Sequence, residues 1–91
     1  MNKPVSRHKV ENAIAPISKF HRRYVLKALA DFGYAIDFAT NDITVLRNTD
    51  FPFSRITLPN RELISLELLK LYARDNGLDL QELYDKMINM K

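Results

Sequence analysis

The sequence predicts one α+β domain, in which a three-stranded antiparallel sheet carries helices packed on one face. Apolar residues recur every three or four positions over residues 18–32 and again after residue 60, which is typical of amphipathic helices. Between them, over residues 34–58, the apolar period is two, and the links are too short for parallel crossovers. The predicted order is α-α-β-β-β-α-α, and 91 residues leave room for a single core.

Two segments are expected. Residues 1–17 form a basic N-terminal segment with a short helix, whose apolar stripe is interrupted by Pro16 because proline lacks a backbone donor. Residues 18–91 form the α+β domain.

The helix over residues 18–32 is predicted from signals at both of its ends. Ser18 stands where an N-cap is expected, and Gly33 stands where a left-handed residue ends a helix. Val25, Ala28 and Leu29 lie on one face of it.

Three strands are predicted at 34–38, 43–47 and 53–58, with turns at 39–42 and 48–50. The next helix starts at Asn60 or at Ser65 and ends before Gly77. Asp79, with Glu82 three residues later, resembles a capping box at the start of a last helix of about ten residues.

Positive charge is concentrated in the first third of the chain. Residues 1–30 contain seven basic residues and one acidic residue, whereas residues 31–91 contain seven and ten, within a net charge of +3. This asymmetry favours a polyanionic partner, although a solvated basic helix face would give the same pattern. The candidate phosphate contacts are Arg7, Lys9, Lys19, Arg22, Arg23 and Lys27. The last four have a spacing that places them together on one helix.

Three further residues are auxiliary candidates. His21 is either a half-buried structural histidine or a group that contacts phosphate or transfers protons toward RNA. Arg47 and Arg55 come from adjacent strands and share a sheet face, which is either a ligand surface or an ordinary solvated face.

The strong signatures of catalysis and metal binding do not occur in the sequence. It contains no cysteine, no glycine-rich phosphate loop and no HExxH spacing, so we predict no catalytic residue, metal or cofactor. No apolar run approaches the roughly 18 residues that span a bilayer, and the N-terminus lacks the apolar core of a signal peptide. We therefore expect a cytoplasmic protein without a membrane partner.

Three pieces of the sequence carry a family resemblance. They are Gly33–Tyr34 after the first domain helix, ITLP at 56–59, and a helix that ends in Asn76–Gly77–Leu78. With the order of elements, they make residues 18–88 resemble the HicA (YcfA-like) family of small toxins. That resemblance implies a double-stranded-RNA-binding-like α-β-β-β-α fold and the activity of an mRNA interferase.

The sequence departs from that family at the active site. The family's histidine lies in a GSH-type turn before a strand, and the corresponding stretch ATNDITVLR (39–47) contains neither glycine nor histidine. The nearest position is Asp42 or Ile43. The resemblance therefore implies the fold and RNA as a ligand, without the family's ribonuclease activity.

Three functions follow, in order of preference. The first is a nucleic-acid-binding module, with RNA favoured. The second is a protein-interaction, inhibitor or regulatory protein of a phage or toxin–antitoxin system. It would bind a partner or a second copy through an edge strand or through the C-terminal helix. That helix carries the apolar stripe Leu80, Leu83, Tyr84 and Met87. The third is an RNA-cleaving toxin that uses His21 instead of the family's histidine.

Overall fold

A three-stranded antiparallel sheet and a smaller two-stranded sheet organise the computed structural model, which describes residues 18–89. The elements in chain order are β1 (Lys19–His21), α1 (Arg22–Asp31), β2 (Tyr34–Ala39), β3 (Ile43–Asn48), β4 (Arg55–Pro59), β5 (Leu63–Ser65), α2 (Leu66–Asn76) and α3 (Leu80–Asn89). The predicted α+β class is confirmed. The short helix predicted in residues 1–17 lies outside the described residues.

The larger sheet is the predicted meander, with strand order β2-β3-β4 and antiparallel neighbours. A bulge at Asp37 interrupts β2, between Ile36 and Phe38. The third strand begins at Arg55 and not at Phe53 as predicted. Phe53 has a left-handed φ of 61°, and its N–H donates to the carbonyl of Asp50. It therefore belongs to the turn before β4.

The core lies between one face of this sheet and the three helices. Leu46, Ile56 and Leu58 point from β3 and β4 toward the helices and are almost fully buried. The helices contribute Val25, Ala28 and Leu29 from α1, Leu66, Leu69 and Ala73 from α2, and Leu83, Tyr84 and Met87 from α3. Burial of these side chains supplies the main driving force for folding.

The two-stranded sheet was not predicted. Residues 19–21 were expected to be the first turn of a helix, but they pair antiparallel with β5. Phe20 lies opposite Ile64, both side chains are buried, and the Phe20 ring meets the edge of Tyr84 at a centroid distance of 5.5 Å. This packing outweighs the local helical pattern, because helix propensity is a weak preference that tertiary contacts override. The helix consequently begins at Arg22, whose N–H donates to the carbonyl of Glu62.

The other helix ends follow the sequence. Gly33 and Gly77 have φ values of 97° and 68° after α1 and α2. The Ser65 hydroxyl accepts from the N–H of Leu68, so α2 starts at the second of its two predicted positions. The Asp79 carboxylate accepts from two N–H groups in the first turn of α3.

Substitution of Gly33 should destabilise the protein more than substitution of Gly77. A Cβ on Gly33 would lie 3.1 Å from the Asn48 side-chain oxygen, whereas a Cβ on Gly77 would meet nothing within 4 Å. We expect Gly77→Ala to lower the free energy of unfolding by about 1 kcal/mol and Gly33→Ala by about 2 kcal/mol. Urea unfolding followed by circular dichroism would measure both, and equal losses would contradict the steric role of Asn48.

Stability should fall in alkaline solution because of Tyr72, whose hydroxyl donates to the carbonyl of Thr57. Burial raises the pKa of Tyr72 from 10.0 to about 12 in the folded protein. Folding therefore favours the protonated phenol, and this stabilisation is complete below pH 10 and is lost as the pH rises through 12. Unfolding experiments from pH 9 upward should show a steeper loss for the wild type than for Tyr72→Phe. Parallel curves would refute this assignment.

Candidate nucleic-acid interface

Three basic residues of the first domain segment are exposed on β1 and α1. Arg23 and Lys27 are four residues apart, so they lie on the same side of the helix, and both are exposed. Lys19 is also exposed and precedes the helix on β1. These three residues are called the basic surface below. The other two candidates from the N-terminal segment, Arg7 and Lys9, lie outside the described residues.

The prediction that Lys19, Arg22, Arg23 and Lys27 lie together on one helix is wrong in two respects. Lys19 belongs to a strand, because Phe20 packs inward and pairs β1 with β5. Arg22 is the first residue of α1, about 100° around the helix from Arg23, and its side chain turns toward the sheet.

The cations of the basic surface differ from several other cations of the domain because they form no ion pairs within residues 18–89. Several Lys and Arg side chains outside this segment form ion pairs, namely Arg55–Asp37, Lys70–Glu67, Arg74–Asp75 and Lys86–Asp31. Within residues 18–89, no carboxylate forms an ion pair with Lys19, Arg23 or Lys27. The excess of positive charge is local to this surface, because residues 18–89 as a whole contain ten basic and ten acidic side chains.

An aromatic row continues the basic surface. The Arg23 guanidinium lies 5.0 Å from the centre of the Tyr24 ring, which meets the His21 ring edge-to-face at 6.2 Å. His21 is half-buried, and its Nε2 lies 4.0 Å from the Glu62 carboxylate. These contacts are those expected of a half-buried structural histidine, the first of the two alternatives for His21. His21 also lies near the basic surface, because Tyr24 contacts both His21 and Arg23.

Arg22 holds the helix against the sheet. Its Nη2 donates to the hydroxyl of Thr44 and to the side-chain oxygen of Asn60, the latter at 3.2 Å. The Thr44 hydroxyl donates in turn to the same Asn60 oxygen at 2.7 Å, and the Asn60 amide donates to the carbonyl of Thr40. Thr44 is 2% exposed, so water cannot replace these partners. Arg22 therefore has a structural role, because its Nη2 is held against the sheet.

This network was not predicted from the sequence. Its one signal was Thr44, a hydroxyl within the apolar strand ITVL, since a buried hydroxyl needs a partner. Asn60 lies 16 residues later, and no local pattern links the two.

Loss of Asn60 should destabilise the domain. Asn60→Ala removes the oxygen that accepts from Arg22 and Thr44, and it removes the amide that donates to the Thr40 carbonyl. We therefore expect a loss of about 1–3 kcal/mol in the free energy of unfolding. Asn41→Ala, at an exposed position of the neighbouring turn, should change it by less than about 0.5 kcal/mol. Urea titration of both variants tests this, and equal stabilities would show that the network contributes nothing.

Arg47 and Arg55 share a sheet face, as predicted. They are direct cross-strand partners on β3 and β4, on the side away from the helices. Arg47 lies over the ring of Phe53 at 4.9 Å, and Arg55 pairs with Asp37 at 3.6 Å. The aromatic residues around these arginines were not predicted from the sequence.

The apolar stripe of the C-terminal helix does not form a docking surface. Leu83, Tyr84 and Met87 are buried in the core, and Leu80 packs against it. The prediction that this stripe contacts a partner is corrected, because the amphipathic face of α3 covers the domain's own core.

No family model matches the chain, and neither a curated protein nor a solved structure matches it. In the described part of the chain, no group of three or more histidine and carboxylate side chains is placed to hold a metal ion. None of the helices between residues 18 and 89 has the length and apolarity to cross a membrane. Fold and site thus define an α+β domain with exposed cations, Lys19, Arg23 and Lys27, that form no ion pair with a carboxylate within residues 18–89.

Proposed function

We propose that this protein is a nucleic-acid-binding module, with RNA as the favoured ligand, and that it contacts phosphates through Lys19, Arg23 and Lys27. One observation carries the proposal: these cations are exposed and none forms an ion pair with a carboxylate within residues 18–89. Binding a phosphate at this surface breaks no ion pair within residues 18–89 and releases counterions from the nucleic acid.

The arrangement supports recognition of the phosphate backbone without base readout. The basic surface consists of Lys19 on β1 and of Arg23 and Lys27 on α1, so its cations are carried by regular elements. Double-stranded RNA is recognised mainly by shape and phosphate contacts, which such a surface supplies. The basic residues Arg7 and Lys9 of the N-terminal segment extend the proposed site along the sequence.

The proposed relation to the HicA (YcfA-like) family concerns RNA binding and not RNA cleavage. The stretch that corresponds to the family's active-site turn has Asp42 and Ile43 at the relevant positions, so no imidazole is available there. His21 lies on β1, with Tyr24 and Glu62 beside it. The proposed module therefore binds RNA without cleaving it.

Reversal of two charges on the basic surface should weaken RNA binding. For Arg23→Glu with Lys27→Glu, we expect at least a tenfold loss of affinity for an RNA duplex of about 16 base pairs. The slope of log affinity against log salt should become shallower by about 1.8, since each lost phosphate contact contributes about 0.9. Fluorescence anisotropy between 50 and 300 mM salt would measure both quantities.

The matched control reverses the same charges elsewhere. Lys70 and Arg74 are also four residues apart on a helix, but both already form ion pairs with carboxylates. Lys70→Glu with Arg74→Glu should leave the salt slope unchanged. If both double variants lose affinity equally, the attraction is a property of total charge and the proposed site is wrong. Absence of binding by the wild type would reject RNA as the ligand.

A further inference from the structure

The face of the sheet that points away from the helices carries exposed aromatic rings and two arginines. Register places Phe38 beside Val45 on this face, and Arg47 beside Arg55 in the next row. Phe51 and Phe53, from the turn between β3 and β4, complete the group. These five residues, Phe38, Phe51, Phe53, Arg47 and Arg55, are called the aromatic face.

The bulge in β2 puts Phe38 on this face. In a regular strand, the side chains of Ile36 and Phe38 would point to the same face of the sheet. The extra residue at Asp37 makes them point to opposite faces. Ile36 lies opposite Leu46, a core residue, whereas Phe38 lies opposite Val45 on the outer side. Phe38 is left 52% exposed.

Phe53 is held in an unusual backbone conformation. Its φ of 61° lies in the left-handed region, which is sterically unfavourable for a residue that carries a side chain. The ring is 42% exposed, so core packing does not account for its position. The conformation places the ring 4.9 Å from the Arg47 guanidinium, and the Phe51 ring meets it edge-to-face at 5.8 Å.

Phe51 is the most exposed large hydrophobic residue in the described part of the chain, at 84%. Phe38 and Phe53 are two further exposed rings on this side of the sheet, and exposed apolar surface beside polar groups is typical of interaction sites.

The charges on this face indicate which partner suits it. Arg47 has no ion pair with a carboxylate within residues 18–89, and its guanidinium is already stacked on a ring. Arg55 has one exposed carboxylate partner, Asp37. Exposed rings next to guanidinium groups match a ligand with flat aromatic groups joined by anions. Single-stranded RNA is such a ligand, since bases stack on aromatic and guanidinium planes while cations contact the phosphates.

We infer that the aromatic face binds unpaired nucleotides of RNA. Their bases stack on Phe51, Phe53 and Phe38, and Arg47 and Arg55 contact the adjoining phosphates. The inference rests on the proposed function and adds a second surface, distinct from the basic surface on α1 and β1. Together the two surfaces would favour RNA in which a duplex adjoins a single strand.

Stacking can be measured directly with a fluorescent base. A single-stranded RNA of about 12 nucleotides, uridines with one central 2-aminopurine, should change its fluorescence when the wild-type protein binds. Phe51→Ser should abolish this change and lower the affinity about tenfold or more. Arg47→Gln provides a second variant that leaves the rings in place, and it should weaken binding to the same RNA. Far-UV circular dichroism checks that each variant folds.

The matched control is Ile36→Ser. Ile36 is 60% exposed on the same strand as Phe38 but points to the opposite side of the sheet. The affinity of this variant for the single-stranded RNA should therefore differ from that of the wild type by less than about twofold. Duplex RNA should bind Phe51→Ser as tightly as it binds the wild type.

Three results would overturn the inference. If the single strand binds without a fluorescence change, or equally well to Phe51→Ser, the bases do not stack here, although duplex binding would leave the proposed function intact. If the wild type binds neither RNA, both proposals fail together. If light scattering shows a dimer that Phe51→Ser dissociates, the aromatic face is a contact between two copies of this chain.

Discussion

The hydrogen bonds of Arg22 to Thr44 and Asn60 join the parts of this domain that the chain leaves far apart. They connect the first residue of α1 to the central strand and to the link between β4 and β5. Thr44 is buried, so an unsatisfied hydroxyl there would cost much of the stability of a small domain. The network therefore fixes the start of α1 on the sheet, and with it the direction in which Arg23 and Lys27 point.

The two faces of the sheet have different roles because strand side chains alternate. One face supplies Leu46, Ile56 and Leu58 to the core, and the other carries the paired arginines. The bulge at Asp37 changes the alternation within β2 and transfers Phe38 to the outer face. A single extra residue thus adds an aromatic ring to the exposed side, which is a common use of bulges near binding sites.

Both proposed surfaces combine cations with aromatic rings. Arg23 lies over Tyr24 on the helix side, and Arg47 lies over Phe53 on the outer side of the sheet. A guanidinium that rests on a ring is oriented without being neutralised, because a ring carries no net charge. This differs from the ion pairs of α2 and α3, in which carboxylates already occupy the cations. At Arg23 and Arg47, two of the proposed phosphate contacts, rings and not carboxylates therefore orient the guanidinium groups.

The sequence by itself determined the α+β class, the meander, the ends of the helices at Gly33 and Gly77 and the shared sheet face of Arg47 and Arg55. These features depend on local periodicity, on glycine's access to positive φ, and on alternation between neighbouring strands. Only the tertiary structure decided that residues 19–21 form a strand, that Arg22 turns inward and that Phe38 faces outward. Each of these depends on a partner that lies far away in the chain, or on one extra residue that changes the register, and neither leaves a local pattern in the sequence.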